Sequence, residues 1–363
     1  MKILFVSHSS VLKFHQQKLL ILAKKYNHNI TLVTPPYWIE GGVKVKCYTG
    51  FKEINYIIGK TFIFEKRFFH IYLNTYEIIE KTKPDLIHIE EEPFTPVCWQ
   101  FVKEAKKRNT IVIFFTWENI ERKHNFIYSV MEKYNIKNSN GAIAGNLEAK
   151  ILLARKGFLK SIEVLPQYGV NLNDFLEKST QKESKEFNLV YIGRLTKEKG
   201  IEILLDAIYN IQNIKLHIIG IGPLLQNIKN KINRLNLQDR VILYSYIDRE
   251  NIPEFLNKMD ILILPSLTTK NWKEQFGRVI IEAFAAKVVV VGSDSGAIPE
   301  VIGDAGVIFK EKDSKDLSNK LKDLIEDKEL FIKYINKGYE RVKNNYTNEI
   351  IAEKLDKFYK RIL

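Results

Sequence analysis

Six short apolar runs recur through the first half of the chain, at Ile3–Val6, Ile30–Val33, Leu86–Ile89, Ile111–Phe115, Ala142–Ala144 and Glu163–Leu165. Apolarity sustained over a few residues suits strands covered on both faces, as in a parallel sheet clad by helices. Between the runs, segments such as Phe14–Lys25 and Cys98–Lys107 carry apolar residues three and four apart, which is the helical period. This βαβ rhythm breaks at residues 173–187, where the run from Lys178 to Glu186 is polar and fits a linker or exposed loop. It resumes at Leu189–Ile192, Leu216–Ile219, Val241–Leu243, Ile261–Leu264, Val288–Val291 and Val307–Phe309. The pattern predicts two α/β domains with parallel sheets, at 1–172 and 173–344. A length of 363 residues agrees, since single cores stop growing near ~250–300 residues. Helical periodicity returns from Phe331 to Leu363.

Hydrophobic residues at 45% and charged residues at 27% are ordinary for a folded protein, so no long disordered tract is expected. No stretch approaches the ~20 apolar residues that span a bilayer, and the first apolar run is too short for a signal peptide. Cys47 and Cys98 are too few for a disulfide framework and lack metal-ligand spacing. The cytoplasm is the expected compartment. Residues 1–172 carry 25 Lys and Arg against 15 Asp and Glu, which is ten of the thirteen net positive charges. Such a surface attracts donor phosphates, anionic lipid or nucleic acid, and no nucleic-acid motif is present. From Phe51 to Tyr76, Lys52, Lys60, Lys66 and Arg67 alternate with Phe62, Phe64, Phe68, Phe69 and Tyr72. That composition suits either peripheral contact with an anionic membrane or an amphipathic helix with a solvated basic face.

Three segments carry chemistry. In Val190–Gly200 a buried strand ends at Gly193, and the loop after it offers Arg194 and Lys199. Two cations beside the free amides of a helix start can hold a diphosphate, or form a solvated basic loop. Ile218–Leu225 is again strand, glycine turn and helix. It has Gly220 and Gly222 of a dinucleotide fingerprint but Leu225 where a third glycine belongs, so it suits a tight turn near a base or ribose better than a nicotinamide site. The third segment runs from the strand Ile261–Leu264 through Pro265 and Ser266 to Glu274, Phe276, Gly277 and a helix at Arg278–Ala286. Glu282 is the one acid in that apolar helix. Its carboxylate needs partners, which ribose hydroxyls or Arg278 one turn earlier would supply. Glu274 precedes the helix, where an anion is favoured and can accept from sugar hydroxyls.

In order along the chain, Gly193-Arg194, Lys199-Gly200, Gly220-x-Gly222-Pro223, Leu264-Pro265-Ser266, Glu274 and Glu282, then Gly296-x-x-Pro299-Glu300, resemble the retaining glycosyltransferases of family 4. Phe115-Thr116-Trp117-Glu118-Asn119, Ala144-Gly145-Asn146 and Pro166-Gln167-Tyr168-Gly169-Val170 resemble a subset of them. The resemblance implies the GT-B fold, with two facing Rossmann-like domains about a central cleft and a C-terminal helix, 345–363, returning to the first domain. It implies transfer of a sugar from a UDP- or GDP-sugar to a glycan or lipid-linked acceptor, as in cell-surface polysaccharide biosynthesis, with no metal and no other cofactor. By the same resemblance Arg194 and Lys199 hold the diphosphate and Glu282 the ribose. Glu274, Phe276 and Gly277 face the sugar and phosphates, and the backbone at Tyr246 and Ile247 lines the base pocket.

The chain departs from the family pattern twice. Ser7-His8-Ser9-Ser10-Val11 stands where many members have a glycine-rich loop, and Thr116-Trp117-Glu118 where many have a histidine. Glu118 is therefore the candidate to orient or deprotonate the acceptor. His88 and Glu90-Glu91-Glu92 lie at another strand exit, where they either line the acceptor side or form a solvated acidic loop. His8 is read as a core or loop hydrogen-bonding residue. The competing functions are epimerisation or phosphorolysis on the same fold, and a non-catalytic nucleotide- or nucleic-acid-binding protein.

Overall fold

A computed structural model of the chain describes residues 1–40, 43–64, 69–175 and 186–363. The chain divides into two compact units, Met1–Gly169 with Asn348–Leu363, and Val170–Thr347.

The first unit contains β1 (Lys2–Val6), β2 (Asn29–Thr34), β3 (Tyr37–Glu40), β4 (Val43–Lys46), β5 (Ile54–Ile58), β6 (Thr61–Phe64), β7 (Phe69–Tyr72), β8 (Leu86–Ile89), β9 (Ile111–Thr116), β10 (Gly141–Ala144) and β11 (Ser161–Val164). Its helices are α1 (Gln17–Tyr26), α2 (Thr75–Thr82), α3 (Pro96–Lys107), α4 (Phe126–Asn138) and α5 (Leu147–Arg155). Seven strands form one parallel sheet in the order β11-β10-β9-β8-β1-β2-β5, and β3-β4 and β6-β7 are antiparallel hairpins. The helices start where the sequence offers a cap: Thr95, Asn125 and Asn146 each accept from a backbone N–H of the first turn.

All six apolar runs of the first half fall within or overlap strands, but the stretch from Phe51 to Tyr76 is not an amphipathic helix. It forms β5, β6 and β7, with α2 starting only at Thr75. The β-branched residues Ile54, Ile57, Ile58 and Thr61 favour extended backbone, and they form strands where sheet partners exist, β2 for β5 and β7 for β6. Lys66, Arg67 and Phe68 lie outside the described residues.

The second unit holds β12 (Phe187–Ile192), β13 (Ile214–Ile219), β14 (Val241–Tyr244), β15 (Ile261–Leu264), β16 (Val289–Ser293) and β17 (Val307–Phe309), all parallel in the order β14-β13-β12-β15-β16-β17. Around them lie α6 (Ile201–Ile208), α7 (Leu225–Arg234), α8 (Ile252–Asn257), α9 (Arg278–Ala285), α10 (Ile298–Ile302), α11 (Ser314–Glu326) and α12 (Lys328–Asn345). The last helix, α13 (Asn348–Ile362), belongs to the first unit. It is fixed there by His28 Nε2 at 2.8 Å from Asp356 Oδ1, by Tyr359 Oη at 2.6 Å from His88 Nδ1, and by Leu355 and Phe358 in the apolar cluster of Phe5 and Ile113.

In each sheet the strand order reverses once, between β1 and β8 in the first and between β12 and β15 in the second. The loops leaving the carboxyl ends of two such strands diverge to opposite faces and leave a crevice, which is where open α/β sheets bind ligands.

Candidate functional site

In the second unit the loops after β12 and β15 meet through one ion pair. Lys199 Nζ donates to Glu274 Oε2 at 2.6 Å, Ser266 Oγ donates to the same oxygen at 2.9 Å, and the ammonium lies 4.6 Å from the centre of the Trp272 ring. Both charged side chains are largely covered, so the pair is a fixed feature of the crevice. The backbone makes this possible. Gly296 has φ +54° and a Cβ there would stand 2.1 Å from the Glu274 carbonyl oxygen, so only glycine lets the loop after β16 close on Glu274. Ala297 N–H completes that contact by donating to the same carbonyl at 3.0 Å. Arg194, by contrast, is 68% exposed and its nearest acid, Glu198, is 3.9 Å away.

One turn into α9, Glu282 Oε1 lies 3.1 Å from Arg278 Nε and 3.1 Å from Arg249 Nη2. Burial raises the Glu282 pKa, and Arg278 opposes that rise. The arginine alternative for Glu282 is thus realised, doubled by Arg249 from the segment before α8. Nor is α9 buried all round: Arg278 and Glu282 occupy its half-exposed edge. Gly277 caps the helix in the left-handed region and Phe276 is buried. Tyr246 is 72% exposed and Ile247 half-buried, on the loop after β14. Gly220, at φ +155°, lies against the Gly193 carbonyl, where a Cβ would come within 1.9 Å, and Gly222 lies against that of Leu195. The absent side chains at Gly220 and Gly222 therefore make room for the chain's own neighbouring loop.

The first unit has a cavity of about 710 Å³ at its own switch point, lined by His8 and Ser9 after β1, Glu90, Glu91 and Glu92 after β8, Trp117 after β9, and Gln167 and Tyr168 after β11, among others. The three glutamates are not a solvated loop, because Glu90 and Glu91 are buried and Glu92 is half-buried. Glu90 pairs with the buried Lys18 of α1 and accepts from Ser7 Oγ at 3.1 Å and Gln167 Nε2 at 3.2 Å. Burial lowers the Lys18 pKa and Glu90 offsets part of the fall. Glu91 Oε1 lies 2.7 Å from His8 Nδ1. Burial pushes the Glu91 carboxyl up, but His8 and His70 together hold it below the ordinary value. Glu92 accepts from Thr116 Oγ1 at 2.6 Å and Trp117 N–H at 2.7 Å, yet burial, reinforced by Glu118, raises its pKa to about 7. The cavity floor thus holds three carboxylates in three different electrostatic settings.

A family model described as Glycosyl transferases group 1 matches residues 173–341, nearly all of the second unit. The second unit belongs to the group 1 glycosyl transferases. Among curated glycosyltransferases, the capsular polysaccharide biosynthesis protein CapM of Staphylococcus aureus is 29% identical over 61% of this chain and 61% of its own. The N-acetyl-alpha-D-glucosaminyl L-malate synthase of Bacillus anthracis is 28% identical over 52% and 49%. The matched stretch thus spans about half to three fifths of these relatives. The structure of Anabaena HepE in complex with UDP matches 99% of this chain and 100% of that one, at a TM-score of 0.77 and 17% identity. Sucrose-phosphate synthase from Thermosynechococcus elongatus gives 0.75 at 18%, over 99% and 98%. At such identities the shared property is the fold, the GT-B arrangement of two Rossmann-like domains.

Of the residues expected at the donor site, Lys199 and Glu274 are joined by their ion pair at the second unit's switch point, Arg194 is exposed beside Glu198, and Glu282 is engaged by its two arginines. Glu118 is not among the residues that line the first-unit cavity. It pairs with Lys156, which also donates to Glu132 at 2.6 Å, and lies 3.2 Å from His124 Nε2. Glu118, His124 and Glu132 offer ligand atoms within 4.8 Å of one another, but the Lys156 ammonium already donates to both carboxylates. Several residues were missed or given no role from sequence: Ser266, Trp272 and Arg249 in the second unit, and Lys18, Gln167 and Tyr168 in the first. Position at the carboxyl end of a strand was the available signal for Ser266, Gln167 and Tyr168. The serine-rich turn after β1 uses its hydroxyls on the protein's own groups: Ser7 Oγ accepts from Ser10 N–H at 3.2 Å and donates to Glu90, and Ser9 Oγ accepts from Gln167 Nε2 at 3.2 Å.

Proposed function

We propose that the chain transfers a sugar, with retention of configuration, from a UDP- or GDP-type donor held by the second unit to a hydroxyl of an acceptor held in the first-unit cavity. The Lys199–Glu274 pair at the switch point carries this reading, because it puts a cation and a hydroxyl acceptor side by side where a sugar diphosphate needs both. Arg194 reaches the diphosphate from the solvent side and Lys199 from beneath. Together they stabilise the negative charge that grows as the bond from the anomeric carbon to the diphosphate oxygen breaks. Glu274 holds hydroxyls of the sugar ring. The acceptor oxygen bonds to the anomeric carbon on the face the diphosphate leaves, and its proton passes to the departing phosphate oxygen. Glu282, flanked by Arg249 and Arg278, accepts from the ribose, and the backbone at Tyr246 and Ile247 borders the base. In the first unit the carboxylates of Glu91 and Glu92 accept from acceptor hydroxyls, and Glu118 keeps Lys156 in place behind them.

Of the two donor types, a UDP-sugar is supported by the crystals of Anabaena HepE with UDP, with UDP and glucose, and with UDP-glucose. No metal ion is invoked, since Arg194 and Lys199 supply the positive charge. The test is hydrolysis and transfer with a panel of UDP- and GDP-sugars, using Arg194→Ala and Glu274→Ala. Loss of about 10²–10³ in kcat for Arg194→Ala is expected from removing one charge-stabilising donor. Wild-type rates in both variants would sink the assignment, and an inverted anomer in the product would sink retention alone.

A further inference from the structure

We infer that the first turn of α4 docks the first unit on an anionic lipid leaflet, so that the cavity beside it takes an acceptor carried in that leaflet. The turn serves two surfaces at once. Asn125 and Tyr128 line the cavity, while Phe126, Ile127 and Val130 face solvent at 83%, 62% and 49% exposure. An aromatic and two branched aliphatic side chains held out by one helical turn are unusual on a surface with no partner. The turn is a formed feature, because Asn125 caps it by accepting from Tyr128 N–H at 3.0 Å and Asn135, on the buried face, donates to the Pro93 carbonyl at 2.7 Å.

Charge decides the occupant. Positions 126, 130, 133 and 137 follow each other down one side of a helix, so Phe126 and Val130 are continued by the exposed Lys133 and Lys137. Arg122 and Lys123, also exposed, precede the turn. An apolar tip followed by lysines is the pattern of an element that enters the acyl boundary and leaves its cations among anionic headgroups. On α5 the exposed Leu147 and Ile151 lie one turn apart with Arg155 at the next, repeating the pattern. Membrane contact, one of the two readings of residues 51–76, is proposed here for α4. That the leaflet delivers the acceptor rests on the glycosyl-transfer reading, whereas the docking surface stands without it.

The experiment is cosedimentation of the full chain with vesicles of phosphatidylcholine alone or mixed with phosphatidylglycerol. The wild type is compared with the triple variant F126S/I127S/V130S and with K133E/K137E. Hydrolysis of UDP-sugar without vesicles and sedimentation velocity are measured on the same samples. The wild type should bind the anionic vesicles, less so at high salt, and each variant should lose about tenfold or more of that partition while keeping its thermal midpoint and donor hydrolysis. The substituted side chains are exposed, so both variants fold. Absence of wild-type binding to anionic vesicles, or binding by both variants equal to that of the wild type, overturns the proposal. So does a wild-type dimer that the triple variant abolishes, since a second copy would then be the occupant. Loss of donor hydrolysis in the wild type would instead refute the glycosyl-transfer reading and leave the docking surface standing.

Discussion

Lys18 and Glu90 offer the sharpest test of how the first-unit cavity is built. Both side chains are buried, the ammonium also donates to the Gln167 carbonyl at 2.5 Å, and the ring centres of Phe5 and Tyr168 each lie 5.3 Å from it. Lys18→Met keeps the bulk and removes the charge, leaving Glu90 buried with two neutral donors, Ser7 and Gln167, on one oxygen only. Breaking a buried pair costs roughly 3–5 kcal/mol. The two remaining donors put the expected loss near the lower end, about 3 kcal/mol, or a fall of roughly 6–12 °C in Tm for a unit of this size. Replacing both residues as Lys18→Met with Glu90→Gln removes the stranded charge, and should recover about 2 kcal/mol of the loss. Urea denaturation of the wild type, both single variants and the double variant closes the cycle. A loss below about 1 kcal/mol in Lys18→Met, or strict additivity in the double variant, would refute the claim that this pair holds the floor of the cavity.

Other consequences are checked as simply. Gly296→Ala forces a side chain onto the Glu274 carbonyl at a positive φ, so it should destabilise the second unit by about 1–3 kcal/mol and lower donor hydrolysis by displacing Glu274, read by melting and kinetics together. The Glu92 pKa, raised by burial to about 7, means that the folded state binds the extra proton between the ordinary glutamate value and 7. The stability this gives is fully present below the unfolded value and is lost as pH rises through about 7, and Glu92→Gln should remove that loss in a melting series over pH. His70 has the opposite sign: burial lowers it to about 4, so its contribution is present above the ordinary histidine value and is lost as pH falls toward 4. Comparing Glu92→Gln with the same variant carrying His70→Asn isolates the His70 slope, and equal slopes in the two between pH 4 and 6.5 would contradict it.

The parallel strands were legible because their signal is local: β15 and β17 match the apolar runs Ile261–Leu264 and Val307–Phe309 residue for residue, and α3 was given away by its three-and-four spacing. The ordered set from Gly193 to Gly296 was legible for the same reason, since turns at strand exits need particular residues at particular places. The hairpin β6-β7 was not, because basic and aromatic composition carries no period, and the partner that stabilises Thr61–Phe64 is Phe69–Tyr72. Charged residues were the hardest to place. Glu90 looked solvated until the adjacency of β1 and β8 brought it to Ser7, and α1 brought it to Lys18, from 83 and 72 residues away. Glu118 looked available until Lys156 closed on it. By itself the sequence determined twelve of the parallel strands and the order of the loops that leave them, because that signal is carried by residues close in the chain. Only the tertiary structure decided which carboxylates are paired and which line the cavity, because burial of a charge depends on partners that the chain brings together from far along its length.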